Sequence, residues 1–399
     1  MTPKKIIGQI HLWLGLASGL VVFILGITGC IWAFEEELKA WVYADKLKVK
    51  IPADSNALPL SQHLETAQNV FGKDIRVDRM HLPNRKEGTL IFRNYTPNKN
   101  PTGIWYWNDT QHNLWAYINP YTSEVIDIEN YTFEFFRVVL ALHWSLLLKN
   151  EIGQPIVGTA TLIFIVMLLT GLILWWPRNK KALRMNTWFR WKSTTKWKRK
   201  NYDLHNIVGF YSMFLVLFIA LTGLMWAFSW FNIGVEWIAN GGERTKKNRI
   251  EVVSTPGPVA SSHPLDIAYH HLKKHYVEAE IYYINLPQEA TGTIGAYVAY
   301  KNRTKNVYLQ FDQYSGKLLH TGGKWEDKTN GEKVKALQYD IHIGAIGGLV
   351  GKTIAFFLSF FAASLPITGF LIWYGRTFKK RKSKAVQKQA VGLNPTKTS

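Results

Sequence analysis

Long apolar runs alternate with longer polar stretches along this chain. Four runs of 20 or more almost purely apolar residues occupy 6–34, 155–176, 207–231 and 349–374. A helix rises about 1.5 Å per residue, so about 20 residues cross a hydrocarbon core of about 30 Å. The pattern therefore predicts four membrane-spanning helices, even though the mean hydropathy of -0.08 would by itself suggest a soluble protein.

The polar stretches between the first and second spans, and between the third and fourth, have a different pattern. Each begins with a predicted helix, at 62–71 and at 266–276. Each continues into strand-like runs that alternate, turn and resume over 115–126 and 307–319, as β-hairpins do. Each stretch has about 100 residues, an ordinary length for a domain. Two small α+β domains are therefore predicted outside the membrane.

The predicted fold is thus a membrane all-α protein, a four-helix transmembrane bundle with two periplasmic α+β domains, internally duplicated. The predicted divisions are a first spanning helix at 1–34, an outer domain at 35–130, a histidine-bearing helix with the second spanning helix at 131–177, a basic loop at 178–200, a third spanning helix at 201–231, a second outer domain at 232–335, a histidine-bearing helix with the fourth spanning helix at 336–375, and a basic tail at 376–399.

Charge is segregated along the chain. The N-terminal residues Lys4 and Lys5, the loop 178–200 and the tail 376–399 together hold 20 Lys or Arg and no acid, which equals the whole formal net charge of +20. Short basic segments stay on the cytoplasmic side of a membrane. We therefore expect a multi-pass membrane protein with cytoplasmic N- and C-termini. The basic excess is explained by the lipid bilayer, so no nucleic-acid partner is predicted.

Short motifs recur in both halves of the chain. Three of them repeat between the first and third spans at an offset of 194 residues: His-x-x-x-Gly at 11–15 and 205–209, Thr-Gly at 28–29 and 222–223, and Trp-Ala-Phe at 32–34 and 226–228. A looser match at an offset of 198 relates 170–176 to 368–374 in the second and fourth spans. A single period of this length indicates duplication and not a solenoid.

Four histidines follow this repeat. His11 and His205 lie near the basic ends of the first and third spans, where an ionisable residue suggests a function. One such histidine alone more often caps or anchors a helix, but a matched pair is harder to explain in that way. His143 and His342 precede the second and fourth spans on predicted helices 133–148 and 334–346, toward the outer side. Two histidines therefore approach each face of the membrane.

Neutral imidazole is a good ligand for haem iron, and two histidines on opposite helices of a bundle make a compact site. We expect one haem between His11 and His205 and one between His143 and His342, with all four as ligands of haem iron. Glycine one turn after a ligand, at Gly15, leaves space either for a flat macrocycle or for close helix contact. Without an open coordination position, such sites favour electron transfer.

The remaining motifs are less specific. His271 and His275 are spaced to share a metal ion on one helix face, but no carboxylate or cysteine completes a ligand set, so a solvated face is the better interpretation. Four residues near the outer ligands, Arg137, Trp144, Lys149 and Tyr339, are candidates to shape a substrate cleft. Arg137 and Lys149 either bind haem propionates or an anionic chelate, or simply anchor the helix at the interface. No nucleotide-binding glycine motif or CxxC pair is present.

Over nearly its whole length the sequence resembles the PepSY-associated transmembrane family, through its histidine, glycine and Thr-Gly pattern and the Asn119–Ser123 turn. The resemblance implies two PepSY-like outer domains, two b-type haems and reduction of ferric siderophores by an inner-membrane protein. Ser123 departs from the family pattern, which has glycine at that point of the turn, as Gly316 does in the second half. The turn geometry of the first outer domain is therefore in question.

The function expected from these features is di-haem transmembrane electron transfer, from an unidentified cytoplasmic electron donor to a periplasmic ferric siderophore or other ferric chelate. No catalytic residue besides the haem ligands is predicted. Two alternatives remain open at this point. One is a non-enzymatic membrane protein that binds or regulates peptidases or cell-envelope partners, and the other is a transporter, since duplicated bundles often move solutes.

Overall fold

The computed structural model describes residues 1–53, 56–245, 251–257 and 262–391, with side chains as far as residue 378. Parts of both predicted outer domains, 54–55, 246–250 and 258–261, and the end of the predicted tail, 392–399, lie outside the described residues. The α-helices are α1 Pro3–Ala33, α2 Glu35–Val42, α3 Ala44–Leu47, α4 Leu60–Phe71, α5 Phe135–Ser145, α6 Asn150–Trp175, α7 Lys180–Asn186, α8 Trp197–Asp203, α9 Gly209–Ala227, α10 Ser229–Ala239, α11 Pro264–His275, α12 Asn330–His342 and α13 Gly348–Val391.

Four helical segments are long and apolar enough to cross a membrane, namely Pro3–Ala33, Asn150–Trp175, Trp197–Ala227 and Ala345–Phe378. They overlap the four predicted spans, so the prediction of a four-helix membrane protein is confirmed. The third span consists of α8, a π-helical turn at Leu204–Val208 and α9. It ends at Phe228, whose extended backbone (φ -130°, ψ 115°) separates α9 from α10, a few residues before the predicted end.

The spans form a closed ring in which α1 packs against α6 and α13, and α9 packs against the same two helices. Small residues allow the closest approaches, as in other membrane bundles. A Cβ built on Gly26 of α1 would lie 2.7 Å from the Ser359 carbonyl oxygen of α13, and one on Gly158 would lie 2.8 Å from Ala227 Cβ. Because the spans alternate in direction, the N-terminus and the 176–196 loop lie at one end of the bundle, called here the loop side.

The opposite end, called the sheet side, carries one antiparallel sheet of eight strands. Its strands are β1 Arg79–Pro83, β2 Leu90–Pro97, β3 Thr110–Ile118, β4 Val125–Asn130, β5 Ile281–Asn285, β6 Thr293–Ala299, β7 Val307–Asp312 and β8 Leu318–Gly322. The two predicted hairpins are β3–β4 and β7–β8. The strand order β4-β3-β2-β1-β5-β6-β7-β8 joins the two predicted domains edge to edge through β1 and β5.

The two outer segments also share their hydrophobic core. One continuous cluster includes Leu60 and Phe92 from the first segment together with Leu265 and Phe311 from the second. The helices α4 and α11 cover the same face of the sheet and are tied together where Asp266 accepts hydrogen bonds from the amide and hydroxyl of Ser61 at 2.9 and 2.5 Å. The sequence therefore predicts the α+β content of each segment, but the segments form one sheet and one core.

The turn at Ser123 resolves the question left by the sequence. Ser123 has φ +60° and Gly316 has φ +70°, so both hairpins use the same left-handed turn position. That conformation is costly for a residue with a side chain. The Ser123 hydroxyl contacts His63 Nδ1 at 3.0 Å and Thr66 Oγ1 at 2.8 Å, and these hydrogen bonds offset the backbone strain. Serine therefore preserves the turn geometry by binding to α4.

Candidate cofactor site

The first histidine pair lies toward the loop side. His11 comes from α1 and His205 from the π-helical turn before α9, two diagonally opposite helices of the ring. Their ring centroids are 6.4 Å apart and their ring planes are inclined at 85°. Isolated π-helical turns often mark functional sites. The structure therefore brings together the two residues that the sequence predicted as partners, and we call them the loop-side pair.

The second pair, called the sheet-side pair, has nearly the same geometry. His143 lies on α5 and His342 is the last residue of α12, the short helices that precede the second and fourth spans. Their ring centroids are 6.1 Å apart and their planes are inclined at 73°. Both histidines lie outside the four spans, and burial lowers the pKa of His143 to about 4 and that of His342 to about 3. Both rings are therefore neutral at neutral pH, as metal ligands must be.

Each of the four histidines is held by a threonine of a neighbouring helix. The Nδ1 to Oγ1 distances are 3.0 Å for His11 and Thr170, 2.8 Å for His143 and Thr28, 2.9 Å for His205 and Thr368, and 2.9 Å for His342 and Thr222. In every case the histidine and its threonine belong to the same half of the chain and to different helices. The repeated Thr-Gly motif therefore places a hydrogen-bonding partner beside every candidate ligand.

The threonines also determine which ring nitrogen carries the proton. Each hydroxyl donates to a carbonyl of its own helix, as Thr28 does to Ile24 at 2.7 Å and Thr222 to Ile219 at 2.7 Å. Its oxygen must then accept from Nδ1–H. At His342 the Ile219 carbonyl, which can only accept, lies 3.1 Å from the same Nδ1. The proton therefore sits on Nδ1, and Nε2 keeps the lone pair that binds a metal.

The glycine that follows each threonine leaves room for the ring. A Cβ built on this glycine would lie 3.2 to 3.6 Å from Cε1 of the histidine, as the structure gives for Gly29 with His143, Gly171 with His11, Gly223 with His342 and Gly369 with His205. At Gly369 this distance is tighter than an ordinary contact, so a Cβ would press on the imidazole, whereas at Gly29 and Gly223 it is an ordinary contact. Among the described residues, Nε2 of these four histidines makes no hydrogen bond, so the rings are oriented while that nitrogen stays available.

These distances fit haem. An iron held between two imidazole nitrogens, at a metal–nitrogen distance of about 2 Å, puts the two ring centroids roughly 6 Å apart. The described residues contain no group of three or more His, Cys, Asp or Glu side chains suited to a bare metal ion. Two protein ligands suffice only when the cofactor supplies the remaining donors, as a porphyrin does. The ligand set present therefore suits bis-histidine haem better than zinc or a mononuclear iron site.

The sheet-side pair lines a cavity of about 570 Å³, a size typical of small-molecule and cofactor sites. Most of its wall is apolar and comes from all four spans. Besides the two histidines, the aromatic and charged side chains in the wall are Trp32, Trp144, Phe164, Trp226, Tyr339 and Arg137. The Trp226 ring is 5.1 Å from the His342 ring, and Trp32 donates from its indole nitrogen to the Tyr339 hydroxyl at 3.2 Å.

Three of the four residues predicted to shape a cleft near the sheet-side ligands, Arg137, Trp144 and Tyr339, line this cavity. The fourth, Lys149, forms an ion pair with Asp109 at 3.2 Å and is not part of the cavity wall. Of the two interpretations of Lys149, this ion pair with the 106–109 turn supports the structural one.

The space beside Gly15 and Gly209 is used for helix contact. A Cβ on Gly15 would lie 2.9 Å from Met167 Cε, and one on Gly209 would lie 3.5 Å from Leu365 Cδ2. Of the two interpretations of these glycines, close packing of neighbouring spans is therefore the one that the structure supports. The residues that the sequence reasoning missed are Thr28, Thr170, Thr222 and Thr368: it used their motif as a marker of the repeat, and the motif's presence near each histidine was the available signal.

The other closely spaced histidines, His271 and His275, lie on one helix of the sheet side. The His271 and His275 rings lie 4.4 Å apart on α11, and among the described residues no group of three possible ligands includes them. His63 instead supports the Ser123 turn.

Fold and site together define an integral membrane protein with an eight-stranded extramembrane sheet and two opposed histidine pairs in its four-helix bundle. The family model described as the PepSY-associated TM region matches residues 9–376, and the chain belongs to that family. The predicted family is therefore confirmed. A search of curated proteins finds no match to this chain.

Proposed function

We propose that this protein carries two b-type haems and transfers electrons across the membrane to a ferric chelate, such as a ferric siderophore. The observation that carries the proposal is the pair of opposed histidines that recurs at both ends of the bundle, with ring centroids 6.4 and 6.1 Å apart. Each histidine has its Nδ1 bound to threonine, so that Nε2 is free. Haem held in this way exchanges single electrons without binding oxygen.

The two sites lie at different depths. His11 and the threonine that supports the sheet-side pair, Thr28, are 17 residues apart on α1, and His205 and Thr222 have the same separation along the third span. At about 1.5 Å per residue this is about 25 Å along the helix axis. Between them an apolar cluster that includes Phe164, Met213 and Leu358 excludes water. The sites therefore form a path across the bundle and not a store at one surface.

The charge distribution supports an orientation for this path. The three segments on the loop side hold all the excess positive charge, which favours a cytoplasmic loop side in a bacterial inner membrane. The sheet then lies in the periplasm, electrons enter at the loop-side pair from a cytoplasmic reductant, and they leave at the sheet-side pair. We also infer that the two halves arose by duplication, because the same His, Thr and Gly contacts occur in both.

Side chains of the sheet-side cavity have roles in this scheme. Arg137 lines the cavity, and among the described residues its side chain makes no ion pair within 4.0 Å, which leaves it available to neutralise the carboxylates of a bound cofactor. Trp226 and Tyr339 lead from His342 toward the sheet. The reaction moves one electron per iron, so that Fe(III) of the chelate becomes Fe(II). Hard oxygen ligands hold Fe(II) less tightly, and the metal is released.

The proposal is tested with the purified full-length protein. The protein is reduced with dithionite, freed of excess reductant without air, and mixed with a ferric siderophore and a ferrous-specific chelator. We expect the absorption bands of reduced haem to disappear as the ferrous complex forms in matching amount. The same mixture with a gallium(III) chelate, which accepts no electron, is the control.

Two results would contradict the proposal at separate points. A well-folded protein without a Soret band would mean that the histidine pairs do not bind haem, and would favour a non-enzymatic role in binding peptidases or envelope partners. Haem that stays reduced with chemically different ferric chelates would leave a haem protein with another electron acceptor.

A further inference from the structure

Two arginines face each other at the centre of the sheet. Arg79 on β1 is the direct cross-strand partner of Arg93 on β2, so both side chains project from the same face. Like charges placed directly opposite on neighbouring strands destabilise a sheet. The pair is therefore costly unless another group compensates for it.

Among the described residues, neither guanidinium group forms an ion pair within 4.0 Å. Burial raises the pKa of the nearest acid in sequence, Asp78, and the charges of Arg79 and Arg93 lower it. The Asp78 carboxylate accepts a hydrogen bond from the Tyr95 amide at 3.3 Å and forms no ion pair with either arginine. The Nε–H of Arg93 is buried without a hydrogen-bond acceptor. A buried donor without a partner is unfavourable, which points to an acceptor supplied by a bound molecule.

The surrounding side chains hold Arg93 in a fixed position. Its guanidinium group stacks on Trp115 at 4.1 Å from the ring centroid, and its Nη1 donates to His81 Nε2 at 2.7 Å. Burial and the charges of Arg93 and Arg79 hold the pKa of His81 well below its usual value, so the ring is neutral and accepts this bond. Side chains that are locked by packing form a preorganised site.

A cavity of about 300 Å³ opens between these residues. Its wall includes Arg79, His81, Arg93, Tyr283 and Asn285, which bring two cations, a phenol and an amide together at the β1–β5 junction. Guanidinium groups match carboxylates in geometry and bind them through paired hydrogen bonds. The cavity is therefore suited to an oxygen-rich anion more than to an apolar or cationic molecule.

The face that carries the arginines is turned toward the bundle. Trp115 stacks on Tyr131 with centroids 3.6 Å apart, and the Tyr131 hydroxyl accepts from Lys39 of α2 at 3.1 Å. In the second half of the chain, Arg303 of the turn between β6 and β7 lies 4.8 Å from the centroid of Tyr339, which lines the sheet-side cavity. The opposite face is covered by α4 and α11, so a molecule bound at the arginines lies between the sheet and the histidine cavity.

We propose that Arg79 and Arg93 form an anion-binding site that holds the carboxylate groups of the incoming chelate, so that the preferred substrates are negatively charged hydroxycarboxylate complexes of iron. The ferric identity of the ligand rests on the proposed function, whereas the anion site itself does not. Tyr283 and Asn285 line the same cavity and supply neutral hydrogen-bonding groups for the remaining ligand oxygens.

The test measures binding without electron transfer. The full-length protein in detergent is titrated with gallium(III) citrate, an anionic chelate that cannot be reduced, and binding is followed by calorimetry and by the fluorescence of the tryptophans. We expect Arg79→Gln to weaken binding about 10-fold, because a hydrogen bond to a charged group is lost, and Arg79→Gln with Arg93→Gln to weaken it about 100-fold. Arg79 is exposed, so the single variant leaves the packing unchanged.

Arg85→Gln is the matched control, since it removes the same charge from the same β1–β2 hairpin outside the cavity wall, and should bind as the unmodified protein does. The cationic gallium(III) complex of desferrioxamine B should bind more weakly than the citrate complex. Undetectable citrate binding, equal binding by the Arg79 and Arg85 variants, or equal affinity for the cationic complex would each overturn the anion site. Intact gallium binding together with haem that ferric chelates do not reoxidise would instead defeat only the proposed function.

Discussion

The two histidine pairs have the same ligand geometry in different surroundings. Both have ring centroids about 6 Å apart and a threonine on every Nδ1. The loop-side ligands belong to the spans themselves, one of them on a π-helical turn, whereas the sheet-side ligands lie on short helices outside the spans. The sheet-side pair also lines a cavity of about 570 Å³ with tryptophan, tyrosine and arginine in its wall.

This difference distinguishes the residues that would hold a cofactor from the residues that would determine how the cofactor is used. The threonine and glycine contacts recur at all four histidines, so they set ligand orientation wherever the pair occurs. The aromatic wall and Arg137 occur at the sheet-side cavity, below the face of the sheet that carries Arg79 and Arg93. In the proposed scheme, the common part binds haem and the surroundings of the sheet-side pair serve the exit of electrons.

Removal of a ligand should have the largest effect and should separate the two sites. We expect His143→Ala or His342→Ala to abolish the sheet-side haem and His11→Ala or His205→Ala to abolish the loop-side haem, each lowering the haem content from about two to about one per chain, because one imidazole rarely retains a bis-histidine haem. Haem is counted by the pyridine haemochrome assay against protein concentration. His112→Ala, at a partly exposed position on β3 away from both pairs, is the control and should keep both haems. Loss of both haems from every ligand variant would contradict the assignment of independent sites.

Sequence periodicity predicts the four spans, which the structure confirms, and it singles out the four matched histidines that the structure brings together in two pairs. Apolar runs longer than 20 residues have few alternatives to a spanning helix, and repeated motifs marked the matched positions. The ends of helices were less certain, because local backbone changes decide them. The helix predicted at 334–346 ends at His342, and the third span breaks at Phe228.

Contacts between segments that are distant in the chain could not be predicted from the sequence. The joining of β1 to β5 depends on an edge-to-edge register that neither strand specifies alone, so two domains were predicted where one sheet forms. In the same way, Thr28 is 115 residues from His143, and only the packing of α1 against α5 brings them to 2.8 Å. The π-helical turn at His205 has no signal in the local residue pattern.

Removal of the supporting hydroxyls should have an intermediate effect that differs among the four histidines. Thr28→Val, Thr170→Val and Thr368→Val keep the side-chain shape but remove the acceptor of Nδ1–H, and loss of such an outer contact typically lowers cofactor affinity about 10- to 100-fold. Thr222→Val should cost least, because the Ile219 carbonyl lies 3.1 Å from His342 Nδ1 in good hydrogen-bond geometry. The corresponding carbonyls of Met167, Leu25 and Leu365 also approach the other three rings, but among the described residues none of them forms a comparable hydrogen bond. Haem affinity is measured by transfer of haem to an apo-globin.

Thr353→Val is the control for this series, since its hydroxyl donates to the Leu349 carbonyl of its own helix at 2.8 Å and makes no other hydrogen bond within the described part of the chain. It should leave haem affinity unchanged. If Thr222→Val weakened the site as much as Thr28→Val, the carbonyl would have no part in orienting the ring, and the inferred proton position on His342 would rest on Thr222 alone.

The smallest expected effect concerns the glycines beside the imidazole rings. The distance from a glycine Cβ position to the histidine differs between the two pairs by only a few tenths of an ångström. A Cβ at Gly369 would lie 3.2 Å from His205 Cε1, tighter than an ordinary contact, whereas one at Gly223 would lie 3.5 Å from His342 Cε1, which is ordinary. Gly369→Ala should therefore rotate or displace the loop-side imidazole and shift the low-spin EPR signal of that haem, while Gly223→Ala should leave the sheet-side signal in place. Both changes favour the helical backbone by about 1 kcal/mol, so neither should unfold its span.

Gly234→Ala, where a Cβ would meet nothing within 4 Å, controls for the added methyl group. Equal shifts from Gly369→Ala and Gly223→Ala would mean that ring clearance does not govern ligand geometry, and the motif would then be explained by the threonine alone.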